Sequence, residues 1–513
     1  MRRIVLVLLV LVAICVAPHA ARADDGAPNR AIFAVIIGSN RSVDADLQPL
    51  KYADDDAARY VDLFRLLGAR TYLLARLDEN TTRLHPQAAA EAILPRSAEL
   101  ERTLAQAAAD VAQARARGVE TLFYFLFAGH GSVRNGEGYL GLEDERLTGR
   151  DLATKVVAKV NADRFHFIVD ACDSYLVAYP RGPGGERRPA PTLEKTSGLG
   201  DDPRVGLLLS SSSHRESHEW DGFQAGVFSH EVRSGLYGAA DADGDGHVTY
   251  REIAAFVARA NAAIPNERFR PEVHAHAPRD AQALVDLTGR LNRRVEIDGK
   301  HAGHYILEDA RGVRIAETHT APGSTVFLLR PAPSGHEYLR RVDDDTEYVL
   351  PADREIVALA DLTPDEPRVR ERGAAHEAFD LVFTEPFDES AVVTWHEPPP
   401  PPDEPVAYMP PLSPVRKIVG LGALGLGVAS LAIGTGFSIA SLSLAHGSSP
   451  TESQVDVLTR NDRIARDRTW AVAGFAAGGA LAVTGLAVLL WPRSPVMVGP
   501  TAGGGYVGYG ATF

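Results

Sequence analysis

Two hydrophobic patterns alternate along the first half of the chain. Residues 31–37 form a continuous apolar run, which is typical of a strand buried on both faces, and further short strand candidates lie at 71–75, 119–127, 165–169 and 205–209. The segments between the first runs, including 52–67 and 98–117, have helical spacing or helix-forming composition. This alternation predicts an α/β domain over residues 30–285, with a mostly parallel sheet flanked by helices.

The pattern changes at about residue 286. Short alternating runs separated by Gly, Pro and Asp, such as 295–299 and 326–329, predict a small all-β domain over residues 286–395. Residues 396–416 are rich in proline, which favours an extended, semi-rigid linker. A ligand for a proline-binding domain is the alternative interpretation of this segment.

Two long apolar stretches lie near the end of the chain. Residues 417–445 and 470–491 each approach or exceed the roughly 20 apolar residues that a membrane-spanning helix needs. We therefore predict a C-terminal transmembrane hairpin joined by a loop at 446–469. Four arginines in that loop favour its placement in the cytoplasm. The Gly-rich tail, 492–513, predicts no chemistry.

The N-terminus resembles an export signal. Arg2 and Arg3 precede an apolar run that ends near residue 17, and Ala21-Arg22-Ala23 fits a small-x-small cleavage site. We predict a signal peptide at residues 1–23, with an uncleaved anchor as the alternative. The signal and the hairpin together predict an exported, membrane-anchored protein whose catalytic domain lies on the periplasmic, extracytoplasmic side.

Charge and cysteine content limit the classes of function that this chain can have. The net charge is −14 with no basic stripe, which argues against a nucleic-acid partner. The two cysteines are Cys15, inside the predicted signal, and Cys172. A single thiol in an exported chain points to a reactive group, although a buried cysteine acting as a small apolar side chain is the alternative. No sequence feature predicts an oligomeric state.

Candidate chemistry follows the ends of two predicted strands. Ala-Gly-His130-Gly131 follows the run 119–127, and Asp170-Ala-Cys172 follows the run 165–169. Ligands of parallel sheets bind at the carboxyl ends of strands, so neighbouring strands would place His130 and Cys172 on one edge. A thiol is a nucleophile only as the thiolate, and an imidazole can take up its proton.

These two motifs resemble the superfamily of caspases, metacaspases and bacterial orthocaspases. The His and Cys lie 42 positions apart, close to the caspase spacing. Residues 50–56 and 226–230 are also similar to that group, and the resemblance covers about residues 30–285.

The resemblance implies a cysteine endopeptidase acting on a protein or peptide substrate, without an organic cofactor. Cys172 would be the nucleophile, and His130 the general base and then general acid. Backbone N–H groups of Gly131 and Cys172 would stabilise the oxyanion. Asp170 matches the metacaspase residue that binds Arg or Lys in the S1 pocket. This interpretation also allows self-cleavage within the basic loop 180–202; a surface loop without that role is the alternative.

One departure from the family pattern supports a second hypothesis. Where metacaspases have His-Ser-Gly after the cysteine, this chain has Asp173-Ser174-Tyr175. A carboxylate beside the thiol disfavours the thiolate, and a tyrosine would stand at the pocket edge. The second hypothesis is therefore a catalytically inactive, calcium-binding adaptor tethered to the cell envelope.

Residues 241–252 match every position of an EF-hand loop. Such loops bind calcium through hard oxygen ligands, and we expect a structural Ca²⁺ here. A solvated acidic turn is the alternative. The predicted ligands are Asp241, Asp243, Asp245, the backbone of His247, Thr249 and Glu252.

Overall fold

The computed structural model describes most of the chain between residues 29 and 509. The described residues are 29–134, 137–172, 174–178, 199–211, 219–220, 222–266, 270–331, 335–365, 381–399, 406–408, 413–447, 452–490, 496–501 and 504–509. The predicted signal peptide, Asp173, most of the loop 180–202 and much of the proline-rich linker lie outside them. The chain divides into two compact units, residues 1–402 and 403–513.

Among the described residues, thirteen strands lie in the first part of the larger unit. They are β1 (Arg30–Ser39), β2 (Arg70–Ala75), β3 (Glu120–Gly129), β4 (Gly131–Arg134), β5 (Glu137–Gly141), β6 (Arg146–Thr148), β7 (Arg164–Asp170), β8 (Val205–Ser211), β9 (Glu219–Trp220), β10 (Ala225–Gly226), β11 (His247–Thr249), β12 (Glu272–His276) and β13 (Ala283–Asp286). The central sheet joins six of them in the order β12-β8-β7-β3-β1-β2. All neighbours are parallel except β12, which is antiparallel to β8.

In the same described ranges, eight helical segments accompany these strands. They are α1 (Ala53–Leu66), α2 (Glu79–Leu84), α3 (Pro86–Glu91), α4 (Ser97–Ala116), α5 (149–160, with a π-turn at Leu152–Val157), α6 (Ser174–Ala178), α7 (Val227–Ser234) and α8 (Tyr250–Ala260). A π-turn, Gly235–Ala239, follows α7, and a short 3-10 turn, Leu199–Asp201, precedes β8.

The apolar runs are continuous because both faces of the sheet are covered. Successive side chains of a strand point to opposite faces. In β1, Ala34 and Ile36 belong to the core that contains α1, α7 and α8. Val35 and Ile37 belong to the core that contains α4 and α5. The predicted parallel sheet with helices on both faces is therefore confirmed, whereas the antiparallel edge strand β12 was not predicted.

The segment from 286 onward is rich in strands. These are β14 (Arg294–Ile297), β15 (Gly303–Glu308), β16 (Arg314–Thr320), β17 (Val326–Leu329), β18 (Glu337–Arg341), β19 (Thr346–Leu350) and β20 (Ile356–Ala358). They form sheets in the orders β17-β14-β20 and β16-β15-β18-β19. Val295, Tyr305 and Leu328 share one hydrophobic core with α7 and α8. The predicted domain boundary at residue 286 stays a prediction, because this core continues across it.

Buried polar contacts also join the strand-rich segment to α7. The Glu317 carboxylate of β16 lies 3.0 Å from His230 Nε2 of α7 and 2.6 Å from His304 Nε2 of β15. A short helix, α9 (Glu389–Thr394), follows this segment. Arg251 of α8 donates to the backbone carbonyls of residues 392, 393 and 395 at the end of that helix.

The smaller unit contains two long helices, α10 (Pro414–His446) and α11 (Gln454–Leu490), both long and apolar enough to cross a membrane. A three-stranded sheet joins β21 (Val406–Tyr408), β22 (Val496–Thr501) and β23 (Gly504–Tyr509). The prediction of a loop at 446–469 is wrong from Gln454 onward, where the chain is helical. Residues such as Arg, Asp and Leu occur in helices, so the polar composition of this segment did not reveal that the helix begins at Gln454.

Small residues line the contact between these helices. On α10 the buried positions recur every seven residues, at Gly420, Gly427, Gly434 and Ser441. A Cβ atom on Gly427 would lie 2.6 Å from the Ala482 nitrogen of α11. The two backbones therefore touch, which only small side chains allow.

Candidate active site

His130 and Cys172 follow two adjacent strands at the same level. Ala128 of β3 is the register partner of Asp170 of β7, and the candidate residues each lie two positions further on. Both line one cavity at the carboxyl end of the sheet. Parallel strands that end together make this edge a natural ligand site.

The backbone after His130 packs directly on the backbone of Cys172. A Cβ atom on Gly131 would stand only 2.0 Å from the carbonyl oxygen of Cys172 and 3.0 Å from the Ala171 side chain. Any residue other than glycine at position 131 would therefore force one of the two segments to move. The glycine in the His-Gly motif is therefore explained by close approach of the two segments.

The imidazole of His130 lines the cavity and is partly shielded from solvent. Burial lowers its pKa below the ordinary value, while a hydrogen bond to the Gln48 carbonyl and the charge of Asp44 act in the opposite direction. Nε2 is buried and makes no hydrogen bond with any described residue. Burial therefore favours the neutral imidazole.

Two carboxylates form the floor of the same cavity. Asp170 Oδ2 accepts hydrogen bonds from the backbone N–H of Ser229 (3.1 Å) and from its hydroxyl (2.6 Å). Asp56 Oδ2 accepts from the N–H of Gly226 at 2.8 Å. Gly226 leaves the space between them open, since a Cβ there would stand 2.7 Å from Asp170 Oδ2 and 3.2 Å from Asp56 Oδ2.

Burial perturbs both carboxyl groups. It raises the pKa of Asp170 to about 6 and that of Asp56 to about 8. The mutual repulsion of the two groups adds to the shift of Asp56, whereas Arg233, 3.5 Å away, and Arg59 oppose it. A third carboxylate, Glu219, also lines the cavity and accepts from the N–H groups of Lys51 and Tyr52. Three carboxyl groups thus line the cavity, and at pH 7 Asp170 is mostly ionised whereas Asp56 is mostly protonated.

The comparison with family models identifies the α/β domain. Residues 31–280 match the family model of the caspase domain. This part of the chain belongs to the caspase-like peptidase superfamily. A search of the curated proteins finds no match. Among solved structures, that of pro-sf-caspase-1 matches with a TM-score of 0.28 and 14% sequence identity, over 51% of this chain and 95% of that chain.

The caspase domain supports a function of the cysteine-peptidase type. Some residues in or next to the cavity were not recognised from the sequence. Asp56, Glu219 and Ser229 were not predicted as site residues. Asp56 lies in a cluster of three aspartates, Asp54-Asp55-Asp56, in the first turn of α1. The similarity of residues 50–56 to the superfamily was the available signal.

Tyr175 was expected at the pocket edge. It belongs to α6, and its ring packs 4.6 Å from the ring of His274 on β12. The described residues that line the cavity do not include it. That Tyr175 obstructs the pocket stays a prediction. Asp173, the other departure from the family pattern, lies outside them.

The acidic loop 241–252 is separate from this cavity. Carboxylate oxygens of Asp241, Asp243 and Glu252 all lie within 4.8 Å of one another. Asp245 instead accepts from the N–H of His247 at 2.7 Å. The Thr249 side chain accepts from the N–H of Glu252 and caps α8. The structure therefore brings three of the predicted ligands together.

Proposed function

We propose that this protein is a cysteine endopeptidase that cleaves peptide bonds after Arg or Lys. The observation that carries the proposal is the cavity that is lined by His130, Cys172, Asp56 and Asp170. A guanidinium or ammonium group entering the cavity would meet the carboxyl groups of Asp170 and Asp56. Asp170, mostly ionised at pH 7, would attract such a cation and repel an aspartate side chain.

In the proposed reaction, His130 takes the proton of the Cys172 thiol, and the thiolate attacks the scissile carbonyl carbon. N–H groups of Gly131 and Cys172 stabilise the tetrahedral oxyanion. His130 then gives its proton to the leaving amine, and the C–N bond breaks to leave a thioester. A water molecule, deprotonated by His130, hydrolyses the thioester and regenerates the thiol.

The specificity is tested with fluorogenic peptides that differ only in the residue before the cleaved bond. We expect turnover with Arg and Lys, none with Asp, and loss of turnover in Cys172→Ala. Cleavage after Asp alone would contradict the proposed specificity. Absence of turnover with every peptide, together with slow labelling of Cys172 by a thiol-directed covalent probe, would instead favour the adaptor hypothesis.

We further propose that the chain is exported and anchored by α10 and α11, with the caspase domain on the extracytoplasmic side. The apolar helices and the arginines at the start of α11 support this arrangement. Protease added to intact cells or spheroplasts should degrade the caspase domain and spare the residue 447–453 connection. Protection of the caspase domain until the membrane is lysed would contradict the topology.

A further inference from the structure

The acidic loop 241–252 lies between α7 with its π-turn and α8, and its carboxylates converge on one point. Oxygens of Asp241, Asp243 and Glu252 approach one another within 4.8 Å. Three negative groups at such distances repel one another strongly unless a cation lies between them. Convergence alone does not define a site, but a second feature points to a ligand.

That feature is an unpartnered oxygen in the loop interior. Asp241 is only 6% exposed. Its Oδ2 accepts from the N–H of Gly246 at 3.1 Å, whereas its buried Oδ1 has no hydrogen-bond partner among the described residues. Leaving a buried acceptor without a donor or cation is unfavourable. A metal ion bound by this oxygen would remove that cost.

The backbone of the loop is held in shape by the rest of the caspase domain. Gly246 has φ +82°, which lets the chain turn sharply. Directly after it, β11 pairs with β13, with Val248 opposite Val285 and His247 opposite Asp286. EF-hand loops generally occur in pairs joined by a short β-ladder. Here β13 of the same chain takes the place of a second loop, which explains how a single loop can be ordered.

We propose that residues 241–252 bind one Ca²⁺ ion. The ligands are oxygens of Asp241, Asp243, Asp245 and Glu252 and the carbonyl of His247. Calcium takes six to eight hard oxygens, and these groups with water provide them. The Thr249 hydroxyl accepts from the Glu252 N–H, so its contribution to the ion runs through water. This site does not depend on the proposed peptidase activity.

Both flanks of the loop contact β7, the strand that precedes Cys172. On one side, Ser229 of α7 holds Asp170 through two hydrogen bonds. On the other side, the hydroxyl of Tyr250, the first residue of α8, lies 2.7 Å from His166 Nδ1 on β7. A bound ion fixes the chain between these two contacts. Calcium therefore stabilises the elements around the cavity, and with them the whole folded unit.

The test is isothermal titration of Ca²⁺ into the full-length, detergent-solubilised protein after treatment with a chelator. We expect one site per chain. Glu252→Gln keeps an acceptor for the cap of α8 but loses the bidentate negative ligand, and it should weaken binding at least tenfold. Asp243→Asn changes an exposed ligand and should also weaken binding. Asp280→Asn, an exposed acid outside the loop, is the matched control and should bind like the wild type.

Thermal unfolding provides a second measurement on the same proteins. Calcium should raise the unfolding midpoint of the wild type and of Asp280→Asn, and it should raise that of Glu252→Gln much less. If Glu252→Gln fails to fold, Asp243→Asn carries the test. The proposal is overturned if the wild type shows no saturable calcium heat, or if the loop variants bind as tightly as the control.

Discussion

His130 and Cys172 each lie two residues beyond the last register pair of β3 and β7, Ala128 and Asp170. Two motifs that are 42 positions apart in sequence therefore begin at one level of one sheet edge. The close approach of Gly131 to the Cys172 carbonyl is a direct consequence. In the same register, Asp170 lies two residues before Cys172, and it lines the same cavity as the two candidate residues.

Replacing Asp170 by Asn should reduce cleavage after Arg. The amide oxygen can still accept from Ser229, so the fold is preserved while the negative charge is lost. Charged hydrogen bonds contribute about 1.5–3 kcal/mol, so kcat/KM should fall roughly 10- to 150-fold. The measurement is hydrolysis of an Arg peptide. Labelling of Cys172 by iodoacetamide serves as a control and should stay at the wild-type rate, and unchanged kcat/KM would exclude Asp170 from substrate binding.

Acidic pH should weaken substrate binding through the same residue. The pKa of Asp170 is raised to about 6 by burial, so the carboxyl group is ionised at pH 7 and becomes neutral as the pH falls through 6. Neutral Asp170 attracts a substrate cation less, so kcat/KM for an Arg peptide should fall as the pH drops through about 6 and then level off near the value of Asp170→Asn. This limb of the pH profile should disappear in Asp170→Asn. Its persistence in the variant would assign it to another group.

Substituting Gly131 by Ala should damage both stability and activity. The added methyl group would stand 2.0 Å from the Cys172 carbonyl oxygen, so one of the two loops must shift. Overpacking of this kind costs about 1–3 kcal/mol, and a displacement of about 1 Å at a reacting group costs about 100-fold in rate. Chemical denaturation and peptide hydrolysis measure the two effects. Gly289→Ala is the control, because no atom lies within 4 Å of the position that its added methyl group would occupy.

A large side chain in the contact between α10 and α11 should separate the helices. A Cβ atom on Gly427 would lie 2.6 Å from the backbone nitrogen of Ala482, whereas a Cβ atom on Gly425 would have no neighbour within 4 Å. Gly427→Leu should therefore disrupt the hairpin, and Gly425→Leu should not. Cysteines replacing Phe437 and Trp470, whose rings lie 6.4 Å apart, can report the separation. In a background without Cys15 and Cys172, a short bifunctional thiol reagent should join them several-fold less well in Gly427→Leu.

The sequence by itself determined the sheet and the two catalytic candidates. Continuous apolar runs predict strands covered on both faces, because only such strands exclude polar side chains from both sides. His130, Cys172 and Asp170 follow two of those runs directly, so they share one edge once the two strands are neighbours, which the structure shows. The acidic loop could also be predicted from the sequence, because all its predicted calcium ligands lie within twelve consecutive residues.

Only the tertiary structure decided which other residues face the cavity. Asp54, Asp55 and Asp56 are consecutive and alike in sequence, but each points in a different direction from α1. Asp54 accepts from Asn40 and from the N–H of Asp78, while Asp56 accepts from Gly226 at the cavity floor. A helix turns by about 100° per residue, so its packing against α7 and the sheet selects one of the three. Contacts between residues 170 positions apart, such as Asp56 with Gly226, follow from that packing and leave no local pattern in the chain.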